Sequence, residues 1–117
     1  MPALVCLHHP PVAVGIPALD SIRLADAAAL QDVLSRHRPP ALILAGHVHR
    51  TITARFADTV VSVAPSTHRQ VELNLRADRP TGYVAEPTSI LLHLLTKAGC
   101  VKHALPVGHT SAAFATV

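Results

Sequence analysis

Two short apolar runs, residues 2–7 (PALVCL) and 41–45 (ALILA), both stop abruptly at histidines: His8-His9-Pro10-Pro11 follows the first and Gly46-His47-Val48-His49 the second. Runs of this length are too short for helices, and their unbroken apolar character is that of buried strands. Between them, residues 26–37 (DAAALQDVLSRH) space Ala29, Leu30, Val33 and Leu34 at three- and four-residue steps, with Asp26 placed as N-cap and Pro39-Pro40 forbidding continuation. That is one amphipathic helix. A strand-helix-strand order predicts that the two strands lie parallel, which sets both histidine clusters at the same strand ends. Pro10 and Pro11 stiffen the first of these loops, which continues through Gly15 and Pro17.

Beyond the second cluster the apolar period changes to two. Residues 51–56, 60–63, 71–75, 90–95 and 101–107 are short β-type runs, parted by turn material at 57–59 and 97–99. They predict a mostly antiparallel β meander. Residues 78–87 (DRPTGYVAEP), with two prolines and a glycine, read as a surface loop, and residues 109–117 as a flexible tail. The expectation is therefore an α/β domain over residues 1–108, a β-α-β unit followed by the meander.

A chain of 117 residues has room for one core, and with half its residues apolar and 15% charged it has the composition of packed, globular material. The net charge of +3 comes from eight Arg and two Lys spread along the chain, without the basic run or interleaved aromatics of a nucleic-acid surface. No specific nucleic-acid partner is expected. No apolar stretch approaches the roughly 18 residues of a membrane helix, and no secretory leader is seen, so the expected location is cytoplasmic. Cys6 and Cys100 have no framework spacing and no CxxC; both are expected as reduced thiols.

Histidine is in excess: nine, against seven Asp and Glu together. Two histidines in an HxH arrangement at a strand end can bring two imidazole nitrogens near one location, with Gly46 allowing close backbone approach. HxH alone belongs to several unrelated families. His8, at the corresponding end of the neighbouring strand, raises the count to three on one rim, and ligands gathered at strand C-termini are usual in α/β sites. The alternative is that His8 and His9 only cap a strand through backbone carbonyls. A cupin would need a glutamate soon after the HxH, and residues 50–62 contain none; an amidohydrolase would need eight βα units.

His8-His9-Pro10-Pro11, then about thirty-five residues on Gly46-His47-Val48-His49, then Val63-Ala64-Pro65-Ser66-Thr67, resemble the second half of a calcineurin-like metallophosphoesterase. Within that superfamily the chain is most similar to the class III cyclic-nucleotide phosphodiesterases, a likeness shared by Gly15-Ile16-Pro17-Ala18-Leu19-Asp20 and Gly82-Tyr83-Val84-Ala85-Glu86-Pro87. The resemblance implies a four-layer αββα sandwich holding two divalent metal ions, drawn from Mn, Fe, Zn and Mg. It implies His8 and His47 on one metal, His49 on the other, and His9 as a catalytic residue orienting a ligand or meeting the phosphate. The implied reaction is hydrolysis of a phosphodiester, with 3′,5′-cyclic nucleotides as implied substrates.

The family's remaining motifs, an Asp-x-His, a Gly-Asp pair and a Gly-Asn-His, precede the HHPP in its members and have no counterpart here. The chain is thus expected to supply part of a dinuclear site, as a fragment, a truncated product or one of two chains, and to hold at most one ion weakly by itself. The rival expectation is a non-catalytic remnant serving as a β-domain for oligomerisation. In either case an uncovered first strand is expected to drive homo-oligomers. His37, His68, His93, His103 and His109 are read as ordinary structural or surface residues, with His68, next to the 64–67 loop, the one placed to reach the substrate.

Overall fold

A computed structural model describes residues 3–108. The elements run β1 (Leu4–Cys6), α1 (Pro17–Asp20), α2 (Ala27–Ser35), β2 (Leu42–Ala45), β3 (Ile52–Phe56), β4 (Thr59–Val63), β5 (Gln70–Val71), β6 (Tyr83–Val84), β7 (Ser89–Thr96) and β8 (Gly99–Pro106). A four-stranded sheet has the order β1-β2-β4-β3, and β5-β6 and β7-β8 form two-stranded sheets.

The β-α-β unit forms as the apolar spacing requires: β1 and β2 are parallel, with Leu4, Val5 and Cys6 opposite Leu42, Ile43 and Leu44. The core lies on one face of this sheet, where Ile43, Ala45, Val61 and Val63 meet Ile16 and Val48, with Leu34 of α2 packed against them. Asp26 occupies the N-cap of α2 without a capping side-chain hydrogen bond; its backbone carbonyl accepts from Leu30 N at 3.0 Å instead.

Several expectations are corrected. The strands after residue 50 are not one antiparallel meander: β4 crosses back to pair parallel with β2, and β3, antiparallel to β4, becomes an edge. Residues 78–87 are not only loop, because Tyr83–Val84 pair antiparallel with Gln70–Val71; the run at 71–75 keeps just its first residue in a ladder. Cys100 lies on β8 opposite Leu95, and both cysteines are free. The loop after the first histidines also contains α1, begun by Pro17 at its first position, where the missing N–H costs nothing. The tail 109–117, with His109, lies outside the described residues.

The face of the four-stranded sheet opposite this core is covered only in part: Leu42 and Ser62 are buried on it and Thr53 Oγ1 accepts from Lys102 Nζ of β8 at 2.9 Å, whereas Leu4 is 42% and Val60 39% exposed and Cys6 is exposed. The Cα radius of gyration is 16.2 Å, where a compact chain of this length would give about 13 Å.

Candidate metal centre

The parallel pairing continues past the last strand residues. Leu7 N donates to Leu44 O at 2.9 Å and Gly46 N to His8 O at 3.0 Å, so His8 and His47 leave the sheet at the same end. A Cβ on Gly46 would lie 3.9 Å from His8 O, an ordinary contact, so close packing does not demand glycine there. Pro10 and Pro11 are buried, and Pro10 O accepts from Leu24 N at 3.1 Å. Asp20 closes the following loop by accepting from Val14 N at 2.7 Å and Gly15 N at 3.0 Å, with Gly15 at φ +84°.

The HxH segment is not strand. Val48 N donates to Gly46 O at 2.7 Å, an i to i+2 bond that makes a three-residue γ-turn centred on His47. His47 has φ +67° and His49 φ +54°, left-handed values that cost a non-glycine residue on the order of 1–2 kcal/mol each. Val48, 1% exposed, is the anchor that holds this backbone, since its side chain is part of the core.

The imidazoles of His8, His9 and His47 come together, each offering one ring nitrogen within 4.8 Å of the others. His47 Nδ1 and His8 Nε2 are 3.2 Å apart. That is close to the roughly 3.3 Å between two nitrogens sharing one ion at about 2.05 Å in tetrahedral geometry. The rings of His9 and His47 are 4.3 Å apart, centroid to centroid. Burial, then the proximity of His9, His8 and His49, holds the His47 pKa below the usual imidazole value. His47 is accordingly neutral at pH 7, the form a metal requires. Its Nε2 is buried without a partner among the described residues. With Nδ1 as the ligand atom the proton of the neutral ring sits on Nε2, and His47 Nδ1 and His8 Nε2 then turn two lone pairs toward one point, so the donor set fits a divalent cation. The cluster contains no carboxylate.

His49 does not join the three nitrogens. Its Nδ1 donates to Arg69 O at 3.1 Å, and because a carbonyl only accepts, the proton sits on Nδ1 and the free lone pair on Nε2. A backbone carbonyl fixing the tautomer of an imidazole is the usual support of a metal ligand. The set brought together is thus His8, His9 and His47, where His8, His47 and His49 were expected at a common point. His68 is exposed, its backbone N–H bonded to Ser66 Oγ at 3.0 Å.

Residues not singled out in the sequence hold the loops beside His49. Gln70, 3% exposed, accepts from Ser66 N at 3.1 Å and donates to Ser66 O at 2.9 Å and Pro87 O at 3.3 Å. Arg50, next after the HxH, donates to Val71 O at 2.6 Å and to Glu86 Oε2 at 3.0 Å. Arg69 lies with Cζ 3.8 Å from the centre of the Tyr83 ring. Of these, Tyr83 and Glu86 lie in the 82–87 segment that carries the likeness, and Tyr83 is the single tyrosine of a chain with no tryptophan.

No protein-family model matches the sequence. Over 107 residues the chain is 36% identical to a probable glycerophosphodiester phosphodiesterase GpdQ of Arcobacter nitrofigilis, covering 90% of this chain and 39% of that protein. It is 35% identical over 105 residues to a probable cyclic nucleotide phosphodiesterase of Rhodococcus erythropolis, covering 90% of this chain and 34% of that one. A cAMP/cGMP dual specificity phosphodiesterase of Mycobacterium tuberculosis is 32% identical over 105 residues, 90% of this chain and 32% of its own length. The chain thus spans about a third of the curated relatives it matches. With HHPP and HxH brought to one end of a parallel strand pair, and relatives of this kind along nine-tenths of its length, the chain belongs to the cyclic-nucleotide and glycerophosphodiester phosphodiesterase family of calcineurin-like metallophosphoesterases.

Proposed function

We propose that this chain provides the imidazole half of a dinuclear metal site that hydrolyses phosphodiesters, 3′,5′-cyclic nucleotides among them, within a four-layer αββα sandwich. His8 and His47 would hold one divalent ion and His49 the other. Bound there, a pair of such ions supplies an activated water and neutralises the phosphate charge. His9, its ring against both His8 and His47, is the residue of this chain set to orient a ligand or donate to a phosphate oxygen. His68 lies on the loop tied down by Gln70 and is the outermost candidate for substrate contact. The observation that carries this reading is the three-imidazole cluster of His8, His9 and His47, set at the ends of parallel strands.

Three neutral imidazoles can hold one transition-metal ion. Without a carboxylate in the cluster, nothing among the described residues beside it offsets the repulsion between two cations a few ångströms apart. The chain alone is expected to bind one ion weakly and to show negligible turnover. The test measures manganese-dependent hydrolysis of bis-p-nitrophenyl phosphate and cyclic AMP by the chain alone. The same assay is run on the chain joined to the portion of the Arcobacter relative that precedes the matched region. The joined protein should exceed the chain by orders of magnitude and lose its activity on His47→Ala. Equal turnover by the short chain, abolished by His47→Ala, would overturn the half-site reading.

A second reading, a β-domain for oligomerisation, is favoured by one observation. On the β7-β8 hairpin Ile90, Leu92, Leu94, Val101 and Leu105 are each 42–52% exposed, and the register sets Ile90 opposite Leu105 and Leu94 opposite Val101. This makes an open apolar face.

A further inference from the structure

His49, Arg69 and Tyr83 form a second constellation, outside the three-imidazole cluster. The main chain of Arg69 fixes His49 through the 3.1 Å bond to its Nδ1, and the side chain of the same residue covers the Tyr83 ring at 3.8 Å. The Tyr83 ring lies 5.9 Å from that of His49, centroid to centroid. The backbone that carries these side chains is fixed. Val71 pairs with Tyr83 in the β5-β6 ladder, Glu72 N donates to Gly82 O at 2.8 Å, and the buried Gln70, next to Arg69, donates to Ser66 O at 2.9 Å. Yet the face they make is open: Tyr83 is 54% exposed, Arg69 is exposed, and among the described residues Arg69 pairs with no carboxylate.

A guanidinium laid on a phenol ring is a flat, cationic stack. Left exposed, it gains little for the fold, about 0.5–1 kcal/mol. What it suits is a second flat π system. Purine and pyrimidine bases stack on aromatic rings and on guanidinium planes, whereas a glycerol or other alkyl alcohol has no π face to offer. The matched relatives are named for both kinds of diester, glycerophosphodiester and cyclic nucleotide.

We infer that the Arg69–Tyr83 stack is the specificity wall of the proposed site: it takes the base of a nucleotide whose phosphate is held at the histidines, and so favours nucleotide diesters over glycerol diesters. This rests on the phosphodiesterase reading for the phosphate, and on the stack alone for the base. Arg69 has two separable parts in it. Its carbonyl positions His49, and its side chain completes the stack, so a side-chain substitution removes the second and keeps the first.

Two measurements separate the wall from the hydrolytic reading. In the first, AMP binding to the 117-residue chain is followed by equilibrium dialysis and by emission of its single tyrosine, with glycerol 3-phosphate and inorganic phosphate as parallel arms. AMP should quench Tyr83 saturably while the other two do not. Tyr83→Ala should weaken AMP retention roughly 5- to 150-fold, the range for loss of one base-stacking ring. Tyr83→Phe, which keeps the ring, should retain AMP. In the second, the chain joined to the preceding portion of the relative is assayed on cyclic AMP and on glycerophosphoethanolamine. Tyr83→Ala and Arg69→Ala should lower the ratio of the two kcat/KM values, through the KM for cyclic AMP. Unchanged AMP retention in Tyr83→Ala, or a fall of both substrates by one factor, overturns the wall. Should the joined protein hydrolyse neither substrate, the hydrolytic reading fails, and the dialysis result still decides the stack.

Discussion

Val48 separates the two histidines of the HxH segment and is the residue whose loss should expose how they are held. It is 1% exposed, packed among Ile16, Ile43, Ala45, Val61 and Val63. Cutting Val48→Ala removes two buried methyl groups. At about 0.8 kcal/mol each that is about 1.6 kcal/mol, and a cavity of about 20 Å³ left after relaxation adds about 0.5, for a total near 2 kcal/mol. The flanking His47 and His49, at φ +67° and +54°, each sit in a conformation their own side chains disfavour. With the anchor weakened by about 2 kcal/mol, the turn is free to relax toward right-handed backbone, and zinc affinity should fall by up to about 30-fold. The assays are urea denaturation and calorimetric titration of zinc. Val61→Ala is the control, since Val61 is fully buried in the same core, in the middle of β4 and away from the histidines. It should lose comparable stability and keep its zinc affinity. If both variants lose stability and affinity in the same proportion, or Val48→Ala binds zinc unchanged, the HxH turn is not held by its central residue.

Two further outcomes follow from the same geometry. Burial and the neighbouring imidazoles hold the folded pKa of His47 below the unfolded value of about 6.5, so the stability tied to its neutral form is intact above about pH 6.5 and lost as pH falls toward the folded pKa; urea melts from pH 7.5 to 5 should show this slope, and His47→Gln should flatten it. The exposed β7-β8 face should make the chain self-associate, with a sedimentation coefficient that rises with concentration, and Leu92→Lys with Leu94→Lys should return it toward the monomer.

Much of the fold was legible because local and global signals agree in the first half. Unbroken apolar runs at 2–7 and 41–45, a helical spacing between them and prolines at both boundaries leave little but a parallel β-α-β unit, which is what forms. The second half carried weaker cues. Pro80, Gly82 and Pro87 marked a loop, and the pairing of Tyr83–Val84 with Gln70–Val71 rests on contacts 13 residues or so apart, beyond any local period. The histidines were legible in type and in end of sheet but not in partnership. HxH invites the alternation of a strand, in which both side chains share a face. Here a γ-turn and two left-handed residues break the alternation, turn His49 to Arg69 O, and leave His9 beside His47. Arg69 and Tyr83 carried no mutual signal at all, being 14 positions apart and joined by the ladder.

The two faces of the four-stranded sheet were made for different neighbours, and this ties the fold to the incomplete cluster. Ile43, Ala45, Val61 and Val63 on one face are closed over by Ile16 and Val48, with Leu34 of α2 behind them. The opposite face is closed over Leu42 and Ser62, where the β7-β8 hairpin approaches through the Lys102–Thr53 bond, but leaves Leu4, Cys6 and Val60 in the open; the buried Ser62 hydroxyl has no partner among the described residues. Strands apolar along their whole length are strands meant to be covered on both sides, and β1 and β2 have that composition. A layer over the open face would bury Leu4 and Val60, which at about 25 cal/mol per Å² is a sizeable stabilisation still ungained. Leu4 and Val60 lie at the strand ends away from the histidines, the histidine cluster contains no carboxylate, and the matched relatives have more than half their length outside the region they share with this chain. One added layer that did both would have to reach from Leu4 along the strand to the histidines, giving apolar cover to the sheet and acidic ligands to the imidazoles. A protein that provides the first without the second, covering the open face yet leaving zinc affinity unchanged, would show the two to be separate.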